Sequence, residues 1–153
     1  MIRRAVLGDI PYLLKLLEQV NLVHYEARPD IFKKATKYKE EELVEIIKDD
    51  NKPIFVYEED SVVYGYAFTY YIKHVNDNLL TDIKTLYIDD LCVDKNKRKS
   101  GIGHKLYDYV KLFAKDQGCY NLTLNVWYSN ESALRFYKSL DLSPLKITME
   151  KIL

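Results

Sequence analysis

The chain has 153 residues, 48% hydrophobic and 30% charged, with 23 Lys+Arg balancing 23 Asp+Glu. That length suits one domain with one core, and zero net charge gives no general attraction to nucleic acid or an anionic membrane surface. No apolar run reaches the length of a membrane span and the N-terminus MIRRAVLGD has no signal-peptide core, so the expected setting is cytoplasmic, with no membrane contact.

Taken in order, Ile2 to Val6 reads as a first strand. Asp9 can cap a helix with Pro11 in its first turn and Leu13, Leu14, Leu17 and Val20 on its apolar face. That helix should end before Arg28-Pro29, because a residue preceding proline avoids helical backbone. Thr36 is a candidate cap for a second helix, Tyr38 to about Asp49, which Asn51-Lys52-Pro53 then breaks. Ile54 to Tyr57 and Val62 to Ile72 form a hairpin, and Gly65 within it signals a bulge or a close backbone approach. His74 to Thr81 is a polar loop, followed by a strand from Ile83 to Val93. A helix starts at Gly101 with Ile102, Leu106, Val110 and Phe113 on one side, and Gly118 suits its end. Leu122 to Val126 is a short strand. Asn130 caps a helix with Ala133, Leu134, Tyr137 and Leu140 inward, and Leu145 to Ile152 is a last strand. No linker or repeat divides this order, which describes one α/β domain with early antiparallel hairpins and a strand–helix–strand crossover.

The most informative stretch is Leu86 to Gly103. Leu86 and Ile88 alternate in strand fashion, but the next apolar pair, Leu91 and Val93, falls on the opposite parity. One extra residue near Asp89–Leu91, a β-bulge, accounts for the slip and leaves backbone groups free for a ligand. A basic loop follows and ends in Ser100-Gly101-Ile102-Gly103 at a helix start. There the first N–H groups and the helix dipole favour an anion. The Walker pattern is missing, and the dinucleotide fingerprint fails because Leu106 stands where its third glycine belongs. By itself Arg98–Gly103 also fits a solvated basic turn.

Arg98-Lys99-Ser100-Gly101-Ile102-Gly103 after a bulged strand, then Leu122–Val126, Asn130 and Phe136-Tyr137, together resemble the GNAT superfamily of acyl-CoA-dependent N-acetyltransferases. The likeness covers nearly the whole element order. It implies a single domain spanning residues 1–153, a central mostly antiparallel sheet splayed at its fourth and fifth strands, and helices on both faces. It also implies acetyl-CoA as the acyl donor and an amine as acceptor. Backbone groups of Leu91, Cys92 and Val93 would pair with the pantetheine arm. The N–H groups of Arg98, Lys99, Ser100, Gly101, Ile102 and Gly103 would hold the pyrophosphate. Asn130 would contact the CoA chain or cap its helix, and Tyr137 would lie near the thioester sulfur. Dimers are frequent in the family, so a homodimer through the tyrosine-rich strands is also open.

In that chemistry an amine attacks a thioester carbonyl. The Cys92 N–H is the expected oxyanion donor. Tyr137 is the expected proton donor to the leaving thiolate, since a phenol of ordinary pKa near ~10 is protonated at neutral pH; its alternative is a core aromatic. Asp89, where many family members carry Glu, is the candidate base. It could equally attract a cationic amine or face solvent, and Asp90 is its neighbour. Cys92 as a nucleophile lacks an evident activating base. His24, His74 and His104 share no ligand spacing, so no metal is expected. The rival reading is a non-catalytic acyl-CoA-binding sensor or partner module.

Overall fold

The computed structural model describes residues 1–153. Five strands make one sheet in chain order: β1 (Ile2–Arg4), β2 (Ile54–Glu59), β3 (Val62–Lys73), β4 (Lys84–Val93) and β5 (Asn121–Leu124). The first four pair antiparallel, and β5 joins β4 in parallel. Four helices accompany them: α1 (Ile10–Ala27), α2 (Glu40–Lys48), α3 (Ile102–Asp116) and α4 (Glu131–Ser139). None is long and apolar enough to cross a membrane.

The sheet is apolar on both faces because its central strands alternate between two large sets of side chains. Ile54, Val56, Tyr66, Phe68 and Cys92 pack against Leu13, Leu16 and Leu17 of α1 and Leu43 of α2. Phe55, Ala67, Leu86 and Ile88 pack against Tyr107, Val110 and Ala114 of α3. Helices therefore cover both faces of a mixed, mostly antiparallel sheet, as expected from the sequence.

Two bulges shape the middle of the sheet. Tyr57 stands opposite Gly65 while Glu58 stands opposite Val63, so Tyr64 is the extra residue. Gly65 is needed there because a Cβ would lie 3.0 Å from the Cys92 carbonyl oxygen and 3.0 Å from Leu106 Cδ1. In β4, Asp90 faces Phe68 and Ile88 faces Thr69, which leaves Asp89 unmatched. The parity slip between Ile88 and Leu91 is thus a real bulge, centred on Asp89.

Some local expectations need correction. The α1 face is buried at Ile10, Leu13, Leu16 and Leu17, so Leu16 and Ile10 join the expected set, while Leu14 and Val20 pack against the same core only partly buried. Asp9 precedes α1 but makes no side-chain cap for it. Its buried carboxylate instead receives two hydrogen bonds from Arg3, at 2.8 and 2.9 Å, and one from the Val6 N–H at 2.8 Å. α2 starts at Glu40 with Lys39 as its N-cap residue, and the Thr36 hydroxyl donates to the Tyr38 carbonyl at 3.1 Å. Tyr38 therefore lies ahead of the helix and is free to reach the sheet. Leu145 to Ile152 belongs to no strand.

Candidate active site

The bulge places two consecutive carboxylates on the α1–α2 side of β4. Asp89 accepts a hydrogen bond from the Tyr38 hydroxyl at 2.6 Å and holds the Lys37 ammonium at 2.9 Å, with its side chain 14% exposed. Tyr38 is stacked on Phe68, with ring centroids 5.5 Å apart. Asp90 accepts from the hydroxyl of the fully buried Tyr66 at 2.6 Å. Residue Asp90 keeps some exposure, but its carboxyl is ringed by protein atoms. That burial pushes it up to about 6, against the Tyr66 hydrogen bond and the Lys37 charge, which pull it down. Asp89, Tyr38, Phe68 and Tyr70 line a cleft of about 230 Å³. The two carboxylates differ in kind: one is already an ammonium site, and the other titrates close to neutrality.

Backbone direction beyond the bulge follows from the ladder. Pairing between β3 and β4 runs without interruption from Phe68–Asp90 to Gly65–Val93. The next N–H, that of Asp94, donates to the Tyr64 carbonyl at 2.8 Å. Hydrogen-bonded pairs alternate along an antiparallel ladder. Cys92 is then engaged with Tyr66 on β3, and Leu91 and Val93 turn their N–H and C=O groups the other way. Parallel pairing of β4 with β5 spans only Thr85–Ile88 and Asn121–Leu124. The two strands have parted before Leu91, so Leu91 and Val93 face a gap. Arg98 Nε reaches the Val93 carbonyl at 3.5 Å. Of the three backbone positions singled out in the sequence, two open onto the gap. Cys92 points its backbone back into the sheet. The Cys92 thiol is buried, and that burial pushes it up to about 12.

The loop after β4 is held from α1. Gln19 donates to the Asp94 carboxylate at 3.1 Å and accepts from the Lys95 N–H at 3.0 Å, while Asp94 accepts from the Asn96 N–H at 2.9 Å. Ser100 donates its hydroxyl to the Lys97 carbonyl. Lys99 and Gly101 both adopt left-handed backbone, at φ 61° and 82°, and Gly101 is the N-cap residue of α3. The first backbone N–H after this stretch to find a partner is that of Lys105, which donates to the Gly101 carbonyl. Every backbone N–H from Arg98 to His104 is therefore without a partner in the chain. The run adjoins a helix start, where the dipole adds to it. The two glycines have different duties. A side chain at Gly101 would meet open space, and only the backbone angle demands glycine there. A Cβ at Gly103 would lie 3.1 Å from the Phe136 ring, so Gly103 lets α4 close on α3.

α4 brings the remaining residues. The Asn130 side chain caps it by accepting from the Ala133 N–H at 3.1 Å. Phe136 packs edge-on to His104, at 5.1 Å between ring centroids. Tyr137 is half-buried, and its phenol is pushed up, first by burial and then by the nearby Asp90 and Cys92. The sequence-predicted Tyr137 and the bulge residues thus share one electrostatic environment. Asn130 stands at a separate cleft of about 280 Å³ between the end of α1 and the start of α4. His24, Phe32 and Trp127 form its aromatic wall, with the His24 and Phe32 rings 5.1 Å apart. Sequence reasoning missed Lys37, Tyr38, Tyr66 and Gln19. Tyr66 shares the parity of Phe68 and was readable as a core-facing residue. Nothing local marks Gln19 as the brace of a loop 75 residues away from it.

Comparison with known proteins gives a consistent result. A family model described as the acetyltransferase (GNAT) family matches residues 17–141. A thialysine N-epsilon-acetyltransferase from Sus scrofa is 27% identical over 146 residues, spanning 92% of this chain and 82% of that protein. The crystal structure of a mutant BH1408 protein from Bacillus halodurans superposes with a TM-score of 0.96 at 26% identity, covering 100% of this chain and 99% of that one. An aminoglycoside N-acetyltransferase in complex with CoA has a TM-score of 0.72 at 15% identity, covering 100% and 98% of the two chains, a likeness of fold.

Proposed function

The chain belongs to the acetyltransferase (GNAT) family, and on that footing we propose that it transfers an acetyl group from acetyl-CoA to a primary amine of a small molecule or peptide by direct transfer in a ternary complex. The observation that carries this reading is the unbroken run of free N–H groups from Arg98 to His104, beside the gap onto which Leu91 and Val93 open. A pyrophosphate on the run and a pantetheine amide on the strand edge would satisfy both. Asn130 serves this arrangement as the cap of α4, the helix that carries Tyr137.

In the proposed step the amine nitrogen attacks the thioester carbon, the C–S bond breaks, and an amide and free CoA result. The oxyanion takes its hydrogen bond from the Leu91 N–H, which faces the gap, in place of the Cys92 N–H engaged with β3. Tyr137 gives its proton to the departing thiolate. Its raised pKa keeps the phenol protonated, and the desolvation that raises it also raises the proton affinity of a thiolate formed beside it. Asp90 accepts the proton that the ammonium must lose, directly or through one water. A base titrating at about 6 is charged at neutral pH and still holds a proton far better than an ordinary carboxylate. Asp89 serves as the anchor for a cationic acceptor, because its carboxylate already binds a lysine ammonium, that of Lys37. The thialysine relative supports the same acceptor class, a lysine-like alkylamine. An acyl-cysteine intermediate is disfavoured by the buried, protonated Cys92 thiol.

The test is thiol release from acetyl-CoA with a panel of polyamines, lysine analogues, aminoglycosides, amino acids and peptides. Release above the hydrolysis blank with cationic alkylamines is expected. CoA binding with no release across the panel would favour the acyl-CoA-binding module instead.

A further inference from the structure

The carboxylate that would anchor an acceptor is already occupied by a lysine of the chain itself. Lys37 Nζ lies 2.9 Å from Asp89 Oδ1, against a side chain that is 14% exposed. The same ammonium stands 5.7 Å from the centroid of the Tyr38 ring, whose hydroxyl donates to the other oxygen of Asp89 at 2.6 Å. Its charge reaches Asp90, where it favours the ionised carboxyl. A primary alkylamine is thus seated beside both carboxylates of the bulge, in the place that the proposed reaction gives to an external acceptor. The Lys37 side chain keeps 41% of its surface exposed, so its nitrogen is not sealed into the fold.

Other lysines near the cleft do not share this placement. Lys33, Lys34 and Lys39 belong to the same connection between α1 and α2. Lys34 stands over the Tyr25 ring, 5.7 Å from its centroid. Lys52 lines the Asp89 cleft, but the ion pair to Asp89 is made by Lys37. The backbone around Lys37 leaves it free to shift. Residues 33–38 make no backbone–backbone hydrogen bond. Side chains hold the segment instead: Asn21 donates to the Lys33 carbonyl at 2.8 Å, Thr36 to the Tyr38 carbonyl at 3.1 Å, and Tyr38 to Asp89. A move of Nζ toward a thioester therefore breaks one ion pair and disturbs no helix or strand.

We propose that the protein acetylates its own Lys37 with bound acetyl-CoA, an inference that rests on the reaction proposed above. Asp90 takes one proton from the ammonium, directly or through one water. The freed Nζ attacks the thioester carbon; the N–C bond forms and the C–S bond breaks. Tyr137 gives its proton to the thiolate, and the second proton that the nitrogen sheds on becoming an amide restores the phenol. Acetyl-Lys37 and free CoA result, and the proton on Asp90 passes to solvent. Because the amine is tethered beside its base, no translational freedom is lost in bringing it there. The acetylated side chain carries no charge and no longer pairs with Asp89. The modification thus stops after one turnover per chain and opens the anchor to an external cation.

The experiment incubates the whole chain with acetyl-CoA and no acceptor at neutral pH, and follows labelling by intact mass and peptide mapping. One acetyl group per chain is expected, on Lys37, with one equivalent of free thiol. The rate constant should be unchanged when the protein is diluted about tenfold, as an intramolecular step requires. Asp90→Asn should slow Lys37 labelling about 10²-fold or more, while slow chemical labelling of Lys33, Lys34, Lys39 and Lys52 stays as it was. Lys37→Arg, which keeps a cation on Asp89, should abolish the equivalent of thiol released without acceptor. Equal labelling of the five lysines, a rate constant that scales with protein concentration, or Lys37 labelling insensitive to Asp90→Asn would each overturn the proposal. An unlabelled Lys37 in a chain that still releases thiol with the amine panel would overturn it alone. No label and no release with the panel would overturn the underlying reaction as well.

Discussion

Changing Asp90 to Asn is expected to raise stability and lower turnover together, because the burial that costs the fold also tunes the carboxyl for its proposed role as base. In the unfolded chain this group titrates near its ordinary 3.8, and in the folded chain near 6. Below the first value both states hold the proton, and burial of a charge costs nothing. Between the two values the unfolded state has already released its proton, so stability falls as pH rises. Above about 6 the full cost applies. At ~1.4 kcal/mol per pH unit the interval amounts to roughly 3 kcal/mol. Asn removes the charge and leaves an oxygen to accept the Tyr66 hydroxyl. A gain of roughly 3 kcal/mol corresponds to about 6–12 °C in Tm for a chain of this size. Thermal unfolding at about pH 7.5 should show that gain, and the gap to the natural chain should shrink progressively toward about pH 4. Turnover in the thiol-release assay should fall about 10²- to 10⁴-fold, the usual contribution of a positioned base. A variant no more stable than the parent at about pH 7.5 would refute the burial argument. Unchanged turnover would refute the role as base.

Other expected outcomes separate the remaining parts of the site. Tyr137→Phe should lower kcat about 10²-fold or more while the Kd for CoA stays within about twofold, since only the proposed proton donor is lost; isothermal titration and steady-state rates check the split. Gly101→Val should weaken CoA binding at least about tenfold, because a branched residue resists the φ of 82° that aims the free N–H groups. A Cβ there meets no neighbour, so circular dichroism should show the fold retained. Asp89→Ala should raise KM for a cationic amine about tenfold with a much smaller change in kcat, as expected for an anchor. The kcat/KM profile should fall as pH drops through about 6, where Asp90 takes up its proton, and Asp90→Asn should abolish that limb.

The features legible in the sequence were those encoded by parity and by glycine. The shift from Leu86 and Ile88 to Leu91 announced a bulge, and the structure centres it on Asp89. Gly65 announced a bulge or a close approach, and both occur there. Three kinds of information were not legible. The direction of a backbone N–H depends on which ladder pair a residue occupies, so Cys92 and Leu91 could not be told apart before the register was known. The start of α2 depended on whether Thr36 or Lys39 served as cap, and that choice moved Tyr38 from helix to loop and onto Asp89. The alternation from Leu145 read as a last strand to Ile152, but no residue after Leu142 makes a backbone hydrogen bond and no strand forms there.

Amide NMR spectra of the isotope-labelled chain, titrated with CoA, test the central claim most directly. The amides of Arg98 to His104 and of Leu91 and Val93 should shift together with one affinity, while that of Cys92, already bonded to β3, should move little. CoA binding that leaves the Arg98–His104 amides unmoved, or no binding at all, would contradict it.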